Sequence, residues 1–342
     1  MKPIPLAHVT RGEVVESVHY GSLAVADASG RVLASLGDPE RRCYFRSSSK
    51  PLQAILVVTS GAADRFAFTP EEIAVTCASH HGTARHLEVV SGILRKLGLG
   101  PDALLCGAHP VSDPAENARL AREGLDPTPL HNNCSGKHAG MLASCLALGF
   151  DVDDYVSRDH PLQRAHIANI ARFCGLPEEE IVIGVDGCGV PTFGVPLSAA
   201  ATAYARLATG DALPPRLRDA AACIREAMWA APDIISAPGA FNSELLAACR
   251  SRLVAKGGAE GLYCAGSVES GEGMAMKNED GSFRGLHEAL TVALAARWPS
   301  LNAALPARWR LTPVLNARGE HVGDVLPVLP VEQLAPGQGP TS

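Results

Sequence analysis

A serine hydroxyl becomes a nucleophile when a neighbouring base takes its proton, and Ser47-Ser48-Ser49-Lys50 offers such a pair. On a helical turn positions i and i+3 share a face, so the spacing aims Lys50 at the Ser47 oxygen. Lysine is scarce here: of 30 basic residues, Lys2, Lys50, Lys96, Lys137, Lys256 and Lys277 are the lysines and the rest are arginine. Arginine keeps its charge at any ordinary pH, whereas lysine loses it when burial or a second cation disfavours the ammonium form. Lys50, Lys137 and Lys256 lie among glycine, serine and cysteine, a setting that suits amines used as bases or ligands. A lysine that works as a base near neutrality must fall from about 10.4 to roughly 7–8, at a differential cost of roughly 4 kcal/mol. Arg46 and Lys256 are the candidate neighbouring cations. A helix start also supplies backbone N–H groups for a developing oxyanion. Pro51 disfavours α geometry at Lys50, so the helix boundary is set to within a residue or two. Ser48 and Ser49 carry hydroxyls too, and spacing alone leaves the register open.

Three further clusters carry chemistry. Cys77-Ala78-Ser79-His80-His81-Gly82 sets two histidines and a serine beside a glycine: a metal group, a second catalytic serine, or a polar helix end. His131-Asn132-Asn133-Cys134-Ser135-Gly136-Lys137-His138 pairs with Asp186-Gly187-Cys188-Gly189. Two thiolates with nitrogen ligands nearby hold Zn²⁺, and residue types favour Cys134, Cys188 and either His138 or His131. A pair of reduced thiols near an active site fits equally well. In Lys256-Gly257-Gly258-Ala259-Glu260-Gly261 the glycines let a ligand approach the backbone closely. Glu260 suits an ammonium group and Arg46 a carboxylate.

These clusters need a scaffold. Strands are expected over Glu13 to Asp27 and Arg31 to Gly37, joined by a turn at Ala28-Ser29-Gly30. A helical period begins after Lys50-Pro51 and returns over Thr83 to Leu97, Ala115 to Glu123, His138 to Leu148, Pro161 to Cys174 and Pro215 to Trp229. Ile181 to Val185 reads as a buried strand or strand end. Short strands follow at Leu253 to Val254, Gly261 to Ser267 and Gly273 to Lys277, then a closing helix over His287 to Trp298. From Leu326 the chain reads as an extended, peripheral tail. The pattern predicts one domain over 1–342, its sheet drawn from about 1–50 and 250–330 with a helix-rich region inserted at about 51–249. The fold class is α/β (α+β), a mixed, mainly antiparallel sheet flanked by helices.

Composition narrows the partners. Apolar content of 46%, charged content of 19% and a net charge of −6 describe an ordinary globular chain. With no basic run and 5% aromatics, nucleic acid is not expected as a partner. No apolar run reaches the length of a membrane span, and Met1 to Ser17 has no apolar core of a signal peptide. The expectation is a cytoplasmic protein whose 10 cysteines form no disulfide framework.

Together FRSSSKPLQ, CASHHG, HNNCSGKHAGML, GVDGCGVPTF and LVAKGGAEG resemble, in this order, the rhizobial-type (third structural class) L-asparaginases, over nearly the whole chain. That family is similar in fold to serine β-lactamases and their glutaminase relatives. The resemblance implies Ser47 as nucleophile with Lys50 as its base, and Ser79 with Lys256 as a second Ser–Lys tandem; Lys277 competes for the Lys256 role. It implies one zinc held by Cys134, Lys137 and Cys188, a lysine ligand in place of a histidine. The expected substrate is L-asparagine, cleaved to L-aspartate and ammonia, in a homodimer. Arg46 is assigned to the substrate α-carboxylate and Asp186 or Glu260 to its α-ammonium, with His138 also counted as substrate-binding. The competing readings are a glutaminase or β-lactamase-like serine hydrolase, and a non-catalytic zinc or amino-acid binder.

Overall fold

The computed structural model describes residues 2–337. In chain order the strands and helices are β1 (Ile4–Arg11), β2 (Val14–Asp27), β3 (Val32–Leu36), β4 (Arg42–Tyr44), α1 (Lys50–Thr59), α2 (Ala62–Arg65), α3 (Pro70–Thr76), α4 (Ala84–Leu97), α5 (Pro114–Glu123), α6 (Ser135–Leu148) and α7 (Pro161–Cys174). They continue as β5 (Val182–Val185), β6 (Pro191–Pro196), α8 (Leu197–Thr209), α9 (Pro215–Ala230), α10 (Pro232–Ile235), α11 (Phe241–Ala248), β7 (Leu253–Gly258), β8 (Leu262–Ser267), β9 (Glu272–Asn278), α12 (Leu286–Arg297), β10 (Thr312–Leu315) and β11 (His321–Pro327).

The main sheet runs β10-β11-β1-β2-β9-β8-β7, with β3 also on β2. Every pairing is antiparallel. Chain ends therefore build one sheet around an inserted helical region, as the sequence pattern predicts. The β2–β3 hairpin pairs Leu23 with Leu36 and Val25 with Ala34, which turns alternate residues toward one core face. One connected core of buried side chains joins the sheet to the helices. No helix among the described residues is long and apolar enough to cross a membrane.

Two expectations need correction. The Ile181–Val185 segment becomes β5, partly exposed at the end of a separate three-stranded sheet ordered β4-β6-β5; the buried strand is β6. The chain from Leu326 does not begin as a peripheral tail: β11 pairs Leu326 with His8 of β1. Residues 338–342 of that tail lie outside the described residues. A further helix, α8, is buried along nearly its whole length. It lies directly against the sheet. A Cβ at Gly266 of β8 or Gly273 of β9 would run into the α8 carbonyls of Tyr204 and Ala201.

Candidate active site

The serine run forms a 3₁₀ turn, Arg46–Ser49, that leads straight into α1. Arg46 has φ +47°, a left-handed conformation that costs a non-glycine residue free energy and recurs where a reactive group is held. Neighbours fix the turn from two sides. Tyr204 of α8 donates to the Ser48 carbonyl at 2.7 Å, and Ser48 Oγ donates to the Lys256 carbonyl of β7 at 3.1 Å. Ser49 Oγ donates to the Arg46 carbonyl at 2.8 Å. Two of the three hydroxyls thus bond protein groups, while Ser47 lines a cavity of about 380 Å³. Of the three serines, Ser47 is the one that lines this cavity.

Close approach of β7 requires glycine. A Cβ on Gly258 would collide with the Phe45 carbonyl and come within 2.7 Å of Ser48 Oγ. The same strand brings Lys256 into the cavity beside Ser47 and Ser79. Ser79 sits just beyond α3, its loop pinned by Ser79 N–H donating to the Ile235 carbonyl and His81 N–H to the Ser236 carbonyl.

Lys50 is fully buried, and its amine is not hydrogen-bonded to the serine run. Nζ reaches the Ala78 carbonyl at 2.6 Å, Ser79 Oγ at 2.9 Å and the Asn133 carbonyl at 3.2 Å. This corrects the expected Ser47–Lys50 hydrogen bond. Three acceptors around one amine match the three donors of an ammonium group, whereas Ser48 and Ser49 have spent their hydroxyls locally. Lys256 Nζ meets the same Ser79 Oγ at 3.0 Å and donates to the Gly257 carbonyl at 2.8 Å. Burial, then the Lys50 cation, pushes Lys256 down to about 7. Ser79 therefore accepts from Lys50 and faces an amine whose charged form burial and the neighbouring cation both disfavour. Lys277, the competing lysine, instead donates to the Glu260 carbonyl at 2.6 Å and to the Asn278 carbonyl.

The expected substrate-binding residues are not gathered in the cavity. Arg46 Nε donates to Asp186 Oδ1 at 2.7 Å, so these two charges serve each other. Glu260 has a 71% exposed side chain, with its Oε1 4.0 Å from Arg46 Nη1. It occupies the three-residue β7–β8 turn with φ +62°, followed by Gly261 at +64°. His138 is sealed inside α6, where its Nδ1 pairs with Tyr155 OH at 2.7 Å. Burial keeps that imidazole neutral, well below its ordinary value.

Cys134, Lys137 and Cys188 do converge. Lys137 Nζ lies 3.0 Å from Cys188 Sγ, and all three side chains are buried. A hydrogen bond from Cys188, helped by the Lys50 and Lys137 cations, holds Cys134 well below the ordinary thiol range. Donating that bond, together with burial, holds Cys188 above it. Burial opposes the Lys137 charge, but the two sulfurs outweigh it and raise its pKa. Among the described residues no three His, Cys, Asp or Glu side chains group as a metal site; the cluster is two sulfurs and an amine. It reaches the lysine pair through Asn133, whose carbonyl accepts from Lys50 and whose Oδ1 lies 3.1 Å from Cys134 Sγ.

Sequence reasoning overlooked Ser112, Ser236 and Asn242, which also line the cavity. Asn242 Oδ1 accepts from Tyr263 OH at 2.7 Å and from Gly257 N–H at 3.1 Å. No spacing signal marks these three residues. His81 and Asn133 also line the cavity, and both stand within the quoted CASHHG and HNNCSGKHAGML segments.

Among solved structures the chain is similar to a β-lactamase from Mycobacterium bovis, at 15% identity over 84% of this chain and 94% of that one, with a TM-score of 0.39. A putative β-lactamase from Bacteroides dorei gives 14%, 80%, 92% and 0.41 in the same terms. A simvastatin synthase variant from Aspergillus terreus gives 13%, 75%, 86% and 0.36. Likenesses this remote say nothing of chemistry. No curated protein matches the sequence. The family profile of L-asparaginase II, however, matches residues 7–327, a span that takes in the serine run, both lysines on Ser79 and the thiol–amine cluster. The chain belongs to the L-asparaginase II family, and so to the asparaginase-type amidohydrolases.

Proposed function

We propose that this protein hydrolyses the side-chain amide of L-asparagine to L-aspartate and ammonia, with Ser47 as nucleophile. One observation carries the reading: Ser79 Oγ stands 2.9 Å from Lys50 Nζ and 3.0 Å from Lys256 Nζ, in the cavity that Ser47 also lines. Ser47 attacks the amide carbon, and its proton passes through the Ser79 hydroxyl to neutral Lys256. The proton returns by the same route to the departing nitrogen, the C–N bond breaks, and ammonia leaves a β-aspartyl ester on Ser47. Water then cleaves the ester, with Lys256 again taking the proton. Lys50 fixes the direction of the relay by occupying the acceptor side of Ser79. Backbone N–H groups of the turn at Ser47 stabilise the oxyanion.

Cys134, Lys137 and Cys188 fit a zinc ion, because a buried amine meets two thiols with one of them already favoured as thiolate. Lys137 would bind the ion as a neutral amine beside the two sulfurs, and the ion would hold the 133–137 segment together with the Asn133 carbonyl that accepts from Lys50. A second reading makes Ser79 the nucleophile, favoured by the two amines on its oxygen. Against it, Ser79 is already engaged on both sides, whereas Ser47 follows a strained residue at a helix start.

Ammonia release from asparagine, glutamine and a chromogenic β-lactam tests the function. The expected result is turnover of asparagine, roughly 10–200-fold slower glutamine cleavage for its extra methylene, and an intact lactam. Tight asparagine binding without ammonia, retained in Ser47→Ala, would replace the enzyme with an amino-acid binder.

A further inference from the structure

One residue beyond Lys256 the cavity wall changes from polar to aromatic. Phe241, Tyr263, Phe283 and His287 all line it. Phe241 lies flat on His287 with centroids 4.1 Å apart and planes at 15°, and Phe283 stacks on His287 at 5.4 Å and 29°. Tyr263 meets Phe241 edge-on at 5.3 Å and is fixed by its hydroxyl on Asn242. These rings lie over the strand at Gly257, where a Cβ would stand 3.1 Å from Tyr263 Cε2 and 3.7 Å from Phe283 Cε1. His287 presents a neutral ring, pushed down to about 4 by burial.

Phe283 is the telling member. The residue is 40% exposed and lines the cavity, while the neighbouring rings stack on one another. Free asparagine has no flat apolar group to cover it. The cavity, at about 380 Å³, falls within the roughly 300–1,000 Å³ range of sites that enclose drug-sized ligands.

On the reading proposed above, on which this inference rests, the departing nitrogen takes its proton from Ser79, which Lys256 contacts. Ser79, Lys256 and the rings line the same cavity, so a substituent on that nitrogen shares its enclosure with the aromatic wall. We infer that the site also cleaves N-aryl amides of aspartate, with the arylamine leaving group stacked on the Phe283–His287 wall. The chemistry balances as for asparagine: Ser47 Oγ bonds the acyl carbon, the C–N bond breaks, the arylamine leaves with the relayed proton, and water releases aspartate.

The test follows 4-nitroaniline release from β-aspartyl 4-nitroanilide beside ammonia release from asparagine, using the full-length protein and Phe283→Ala. We expect the anilide to turn over with kcat/KM within about tenfold of asparagine. Phe283→Ala should lower the anilide-to-asparagine ratio of kcat/KM about tenfold, chiefly through KM. Asparagine turnover with an anilide that is neither cleaved nor inhibitory would overturn the inference alone. So would an anilide that inhibits without being cleaved, or a ratio unmoved by Phe283→Ala. Loss of both activities in the unaltered protein would overturn the underlying amidase reading and this inference with it.

Discussion

Ser79 is where two buried amines meet, and their meeting sets the pH dependence. Lys256 cannot keep its proton easily when burial and Lys50 both oppose a second cation, which is why it falls to about 7. In the relay proposed here Lys256 acts as a neutral amine, so activity is expected to fall as pH drops and the amine charges. For asparagine, kcat/KM is expected to rise about tenfold per unit below pH 7 and to level off above it. Lys256→Arg, which cannot lose its proton, should cost at least about 10²-fold and abolish that rise. A profile from initial rates between pH 5 and 9 decides this; a flat wild-type curve through pH 7 contradicts it. The amines themselves were legible in the sequence because lysine is so scarce in it. Their shared partner was not. S-x-x-K spacing describes local reach, whereas the hydroxyl that Lys50 bonds comes from 29 residues away, and only the folded chain supplies that contact.

Elements position these side chains by close backbone contact more than by side-chain packing. The serine turn is held between α8, through Tyr204, and β7, through the Lys256 carbonyl. Gly258 is the point of nearest approach, so Gly258→Ala must push β7 away from the turn carrying Ser47. We expect a folded protein destabilised by about 1–3 kcal/mol, as overpacking typically costs, with kcat/KM lowered at least about 10²-fold. Gly92→Ala in α4, where the new Cβ finds nothing nearer than 3.6 Å, is the matched control and should leave activity unchanged. Thermal unfolding and asparagine kinetics on both variants check the pair; equal activity in the two would contradict the close-contact account. Strand and helix signals predicted β2, β3, α1, α4, α5, α7, α9 and the β7–β9 meander from alternation, period and turn residues. They missed α8, an alanine-rich helix buried along nearly its whole length. They failed for β10 and β11 because Pro313 and Pro327 suggest extended coil, although edge positions and strand ends tolerate proline.

The whole molecule explains why so much chemistry sits far apart in sequence. A sheet closed by both chain ends carries Lys256 on β7, while the inserted helical region brings Ser47, Lys50 and Ser79 to face it. The antiparallel sheet with a helical insert was visible in the order of patterns. The pairing of Arg46 with Asp186 was not, because charge alone cannot tell a substrate grip from an ion pair between distant loops. The thiol–amine cluster occupies the same junction, adjoining the lysine pair through Asn133. The proposed mechanism has one intermediate that reports on all of these segments, an acyl group on a serine. The decisive measurement is mass spectrometry of peptides from enzyme quenched in acid during asparagine turnover. A β-aspartyl ester on the peptide containing Ser47, absent in Ser47→Ala, is the expected result. An ester on Ser79, or none on either serine while ammonia is released at the full rate, would contradict it.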